Sequence, residues 1–236
     1  MDARCDNPGL PIATVAALDD ELRRGMYEFI RHAQRPVTRD DAAAAVGISR
    51  KLAAFHLDKL VDAGLLTARF EAVGGIRKVG RTPKVYEPAD VDIRVTIPPR
   101  QHDLLADILL QAVLTEGEGE TAHHAALRTA RERGHRLGTT ERERLRPGKL
   151  GVERALTHAE TVLARYGFEP SRQSPECVRL LNCPFHPLVA QSPDLVCGIN
   201  HAFLEGFLTG LHASAVEATL APRTGECCVQ LHHATQ

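Results

Sequence analysis

Apolar residues recur at helical spacing soon after the start of the chain. Leu18, Leu22, Met26, Phe29, Ile30 and Ala33 fall on one face, which predicts an amphipathic helix over residues 19–33 that Arg35-Pro36 ends. Thr38 is placed to cap a short Ala-rich helix from Asp40 to Val46, with Asp40 and Asp41 in the first turn where the helix dipole favours carboxylates. Gly47 closes it, and Ser49 is placed to cap a third helix from Arg50 to Ala63. That helix has Ala53, Leu57, Leu60 and Val61 on its packing side and Lys51, Phe55 and Lys59 on the other. Gly64 suits the left-handed residue that follows many helices. LLTARF then reads as a strand, GGIRKVGRTPK as a Gly-rich basic loop, and VYEP as the returning strand.

Beyond the two prolines of DIRVTIPPR the period is helical again. Leu104, Leu105, Ile108, Leu109, Ala112 and Val113 form a band wide enough to be buried on two sides, as in a helix that packs on its own domain and on a second copy of the chain. Helices over about 121–138 and 150–166 follow, the second with Leu156, Ala159, Val162, Leu163 and Tyr166 inward. The remainder alternates strand-like runs (ECVRLLNCPF, AVEATLAP and CCVQLHH) with a helix from Pro193 to His212. The expected class is α+β, with an N-terminal winged helix-turn-helix and a C-terminal α+β effector domain built on a small antiparallel sheet. The expected divisions are a mobile leader (1–17), the winged helix-turn-helix (18–95), a linker and dimerisation helix (96–118) and a cysteine-containing sensor domain (119–236).

Charge sharpens this division. The 236 residues carry a net charge of −1, yet residues 47–84 hold eight basic groups against three acidic ones, and residues 101–236 hold 13 basic against 16 acidic. A basic module joined to a mildly acidic one implies different partners for the two. GISRKLAAFHLDKLVDAGLL followed by GRTPKVYEP resembles the helix-turn-helix and wing of ArsR-type bacterial repressors, a likeness that covers about residues 20–90. Double-stranded DNA is the expected partner. Ser49, Arg50 and Lys51 would lie nearest the base edges, Phe55 and Lys59 further along the same helix, and Arg77, Lys78, Arg81 and Lys84 of the wing on phosphates or in the minor groove. A homodimer would present two recognition helices to a pseudo-palindromic operator. Phe55 can touch a thymine methyl or complete the core, and a winged helix can also bind protein.

No apolar run approaches the ~20 residues of a membrane span, and the first twenty residues lack a signal-peptide pattern, so a cytoplasmic location without membrane contact is expected. In such a reducing setting the six cysteines point to metal or redox chemistry rather than disulfides. Cys5 stands apart. Thirteen residues separate Cys183 from Cys197, and 29 separate Cys197 from Cys227, which does not match the paired knuckles of a structural zinc site. Thiolates from a strand end, a helix start and a hairpin can meet at an iron–sulfur cluster. Inert buried thiols and zinc held by Cys and His are the alternatives.

NCPFH, then PDLVCGINHAFLEGFLTGL, then CC near the C-terminus resembles the sensor domain of SufR-type repressors, a branch of the ArsR-like group that carries an iron–sulfur cluster. The resemblance implies a cluster of the 4Fe-4S kind, with Cys183 and Cys197 as ligands and Cys227 or Cys228 as the third. Neighbours in a strand point to opposite faces, so only one of the two is expected to face the cluster, and Cys227 is preferred. Cys177 or His186 can complete the set. Neither a Gly-rich phosphate loop after a strand, nor HExxH, nor a GxSxG elbow occurs, so no enzyme is expected. The competing function is a winged-helix regulator that responds to zinc or to a small organic effector.

Overall fold

The computed structural model describes residues 9–71, 82–146 and 148–234. The chain divides into two compact units between Val95 and Thr96.

The first unit opens with helix α1 (Gly9–Ala16), where a mobile leader is expected from the sequence. The Thr14 hydroxyl donates to the Ala63 carbonyl at 3.1 Å, which ties this helix to the end of α4 and accounts for its order. Helix α2 (Glu21–Ala33) is capped by Asp20, whose carboxylate accepts from the Arg23 N–H. Strand β1 (Val37–Thr38) leads into α3 (Arg39–Val46), where Thr38 and Asp41 form a reciprocal capping box. Gly47 takes a φ of 71°, which turns the chain tightly into α4 (Arg50–Asp62), capped by Ser49. Strands β2 (Leu66–Phe70) and β3 (Lys84–Pro88) pair antiparallel, and β1 adds to β3, giving the sheet order β1-β3-β2. Met26, Ile30, Ala53, Leu57, Leu60 and Leu66 fill the core beneath them.

The second unit contains α5 (His102–Leu114), α6 (Ala122–Leu145), α7 (Val152–Arg165) and α8 (Pro193–Leu211). A four-stranded antiparallel sheet accompanies them. Its strands are β4 (Pro170–Ser174), β5 (Cys177–Leu180), β6 (Val216–Leu220) and β7 (Val229–His233), in the order β4-β5-β7-β6. One sheet face, with Val178, Leu231 and Ala218 side by side, enters the core. The α+β class holds in both units.

Helix α6 runs to Leu145, seven residues past its expected end, and the reason lies in its glycines. A Cβ on Gly134 or Gly138 of α6 would overlap the carbonyl oxygens of Phe203 and Phe207 on α8. Reciprocally, a Cβ on Gly206 or Gly210 of α8 would overlap those of Arg131 and His135 on α6. The two backbones therefore touch without intervening side chains. In each helix the glycines are four residues apart and share a face. An exposed mid-helix glycine costs about 1 kcal/mol relative to alanine, so four of them need a compensating contact, and backbone-to-backbone packing supplies it.

Gly206→Ala should thus run against helix propensity. Instead of gaining about 1 kcal/mol, the variant is expected to lose about 3 kcal/mol and roughly 10 °C in melting temperature, read by circular dichroism. A melting temperature at or above that of the parent protein would mean that the two helices do not meet through these glycines.

Candidate functional site

Two regions bring the expected functional residues together, one in each unit.

In the first, the turn at Gly47 sets α4 against α3 and leaves one face of α4 outward. Lys51, Leu52, Phe55 and Lys59 are on it, with Phe55 55 % exposed. Phe55 therefore does not complete the core. The Lys59 ammonium sits 5.9 Å from the centre of its ring, a cation–π contact that holds the ring upright. The Ser49 hydroxyl accepts from the Leu52 N–H at 3.3 Å, so its first role is to cap the helix. His56 faces inward and is buried.

Two basic groups of this face are already paired within the unit. Arg50 meets Asp40 of α3 at 2.5 Å, and Lys84 at the base of the wing meets Asp58 of α4 at 2.8 Å. Hydrogen bonding to Asp58 holds the Lys84 pKa above its ordinary value. All four side chains are substantially exposed, so these pairs are worth little to stability. Sequence reasoning did not foresee the two aspartates. Arg77, Lys78 and Arg81 lie outside the described residues.

In the second unit, four of the five described cysteines converge. Cys183 follows β5, Cys197 lies in the second turn of α8, and Cys227 and Cys228 immediately precede β7. The Cys227 N–H donates to the Leu180 carbonyl at 2.9 Å, which brings the β6–β7 connection against the end of β5. Because Cys227 and Cys228 stand in a bend and not in a strand, the expected alternation does not separate them. Both join the group. Cys183 interacts with Cys227, Cys227 with Cys228, and Cys228 with Cys197. All four are free thiols.

A cavity of about 560 Å³ opens onto this group. Cys183, Cys197, Cys228 and His186 line it, while Cys227 is fully buried behind them. Cys177 stands at the other end of β5, opposite His232 of β7, and does not line the cavity. Among the described residues no three His, Cys, Asp or Glu side chains are set to grip a single metal ion.

Sequence reasoning missed three residues of this region. Asn200, one turn after Cys197 on α8, is fully buried, and its Nδ2 donates to Cys227 Sγ at 3.1 Å. Its Oδ1 has no hydrogen-bond partner. The i, i+3 spacing from Cys197 was the signal available. Asn182 donates to the carbonyls of Pro99 and Gly167. The Arg100 guanidinium donates to Asn182 Oδ1 and to the Cys183 carbonyl, both at 2.7 Å. No pattern in the sequence marks Arg100 or Asn182.

At Cys183, Cys197 and Cys227 the surroundings favour the neutral thiol. Its hydrogen bond to Cys227, and then burial, push the Cys183 thiol far up. At Cys227 the bond from Cys183 acts downward, but the bond to Cys228 and burial outweigh it and leave the thiol at about 11. Burial raises Cys197. Without a metal these sulfurs stay protonated at neutral pH, and taking up a metal would release their protons.

Helices α2, α3 and α4 with the β2–β3 pair have the arrangement of a winged-helix DNA-binding protein. A family model described as a helix-turn-helix domain matches residues 18–69 of the chain. The protein is a DNA-binding transcription regulator. No curated protein and no solved structure matches the chain. Among the described residues no helix is long and apolar enough to cross a membrane.

Proposed function

We propose that this regulator is a homodimeric repressor of the SufR type, which binds a pseudo-palindromic operator and reports redox or iron status through an iron–sulfur cluster in its second unit. The observation that carries the reading is the meeting of Cys183, Cys197, Cys227 and Cys228, drawn from three separate segments, at one cavity.

The donor set fits a cluster. Iron–sulfur centres take soft thiolates, and a cluster wider than one ion does not need its ligands to converge on one point. Cys183 and Cys197 are the first two ligands, and the doubled cysteine supplies the third, with Cys228 facing the cavity and Cys227 against Cys183. His186, on the cavity wall, is the remaining candidate for the fourth. When bound, the cluster supplies a tie between these segments that lasts only while iron is available and oxidants are scarce.

The chain itself carries the state of this site towards the DNA-binding unit. Arg100 holds the Cys183 carbonyl, the Gln101 N–H donates to the Pro184 carbonyl, and the His102 ring bonds the His186 carbonyl. The start of α5 is thus fastened to the loop that bears Cys183, and the boundary at Val95 lies a few residues upstream. A shift of that loop moves the start of α5. Homodimer formation draws support from the outward side of α5, where Leu110, Val113 and Leu114 are more than half exposed while Leu105 and Ile108 are buried.

At the DNA, Lys59 and Lys84 meet phosphates, and Arg50, Lys51 and Phe55 meet base edges. Lys84→Ala should weaken binding to all sequences and reduce the salt dependence of the affinity by about 0.9 in slope. Phe55→Ala should leave the slope alone and reduce discrimination between operator variants. Titration of labelled duplexes over a range of salt reads both, and an unchanged slope for Lys84→Ala would remove that residue from the phosphate contacts.

For the sensor, protein purified or reconstituted without oxygen should be brown and carry iron and inorganic sulfide, and Cys183→Ser should lose most of both. A colourless wild-type protein after anaerobic reconstitution sinks the cluster reading. A Cys183→Ser variant with full iron and sulfide removes Cys183 from the ligands.

A further inference from the structure

Asn200, in the interior of the second unit, is a polar side chain that apolar packing does not explain. Asn200 has no exposed surface, yet only one end of its amide is used. Nδ2 lies 3.1 Å from Cys227 Sγ and 4.0 Å from Cys228 Sγ, and Oδ1 is without a partner. A buried amide with an unsatisfied oxygen is costly, and an apolar residue of the same shape would avoid that cost. The amide is kept where it faces sulfur.

Its position on α8 is equally specific. Asn200 is one turn from Cys197, so the ligand helix presents a thiol and an amide on the same side. The two hydrogens of one NH2 group suffice for two neighbouring sulfurs. Cys227, which precedes β7, is linked to α8 by this amide, and Cys228 by the same amide and by Cys197. Other groups near the site bond elsewhere: the Arg100 guanidinium is committed to oxygens of Asn182 and Cys183, and Arg179 to Glu226 and Gln230.

We propose that Asn200 is a positioning residue for the doubled cysteine: its amide donates to the Cys227 and Cys228 sulfurs, holds the pair at the cavity, and tunes the reduction potential of the cluster they serve. The inference rests on the cluster reading above. An N–H dipole aimed at a ligand sulfur stabilises the extra negative charge of the reduced state, so its presence raises the potential and its loss lowers it.

The test compares wild type with Asn200→Leu, which keeps the approximate shape and removes the donor. Both proteins are reconstituted without oxygen, checked for folding by circular dichroism and for iron and sulfide content, and titrated to a midpoint potential. Asn200→Leu is expected to hold the same cluster with its reduction equilibrium shifted about tenfold towards the oxidised form, a midpoint about 59 mV more negative for one electron. The absorption bands from sulfur to iron should shift with it. If Asn200→Leu does not fold, Asn200→Ala, which adds no bulk, makes the same measurement.

A folded, fully loaded variant with an unchanged potential and spectrum overturns the role of Asn200 and leaves the cluster reading standing. A wild-type protein that takes up neither iron nor sulfide overturns the cluster reading, and this inference with it.

Discussion

The backbone contact between α6 and α8 is the constraint on which the second unit depends. Four glycines, two on each helix, let carbonyl oxygens of one helix lie where a side chain would stand on the other. Such a contact has a single register, because sliding either helix brings a Cβ against backbone. It fixes the C-terminal half of α8, and the rigid helix then fixes its N-terminal half, where Cys197 and Asn200 are carried. The strand β6 follows directly from the same helix, so the connection that bears Cys227 and Cys228 is placed by the same contact.

The thiol group is held from three directions. The Leu180 carbonyl accepts from the N–H of Cys227, Arg100 donates to the carbonyl of Cys183, and Asn200 donates to Cys227 of the doubled cysteine. Burial raises the Cys183, Cys197 and Cys227 thiols, and hydrogen bonds among the sulfurs add to this at Cys183, so these three stay neutral in the metal-free protein. Thiols joined only by weak sulfur hydrogen bonds are a loose assembly. Under the proposed function, three segments that a bound cluster would tie together are free to separate when it is lost, and the loop at Cys183 is the one fastened to the start of α5. The charged pairs in the first unit have a parallel logic: Asp40 and Asp58 hold Arg50 and Lys84 in place near the helix that reads DNA, at little energetic cost.

Much of the first unit was legible because its signals are local. Thr38, Gly47, Ser49 and Gly64 each perform at their own position the cap or turn that their chemistry favours, and the helix and strand boundaries follow within two residues. Helix α1 was not legible, since its order depends on Thr14 reaching Ala63, 49 residues away. In the second unit the period of the helices could be read, but the partner of each face could not. Glycines at 134, 138, 206 and 210 look like weak points in a helix until their reciprocal fit is seen. The cysteines could be chosen by type and spacing, whereas the position of Cys177 away from the cavity required the direction of β5, and the meeting of both Cys227 and Cys228 with the other thiols required the chain path before β7. Arg100, Asn182 and Asn200 act through contacts remote in sequence, and the pattern around them marks only Asn200, through its spacing from Cys197.

Under the proposed function the state of the cysteine site governs the hold on DNA. The most direct test is operator affinity measured on one anaerobic preparation before and after removal of its iron and sulfide, at a single salt concentration and with the oligomeric state followed alongside. Tight binding is expected of the loaded protein, and at least a tenfold loss, about 1.4 kcal/mol, once the cluster is gone. Equal affinity in the two states would contradict it.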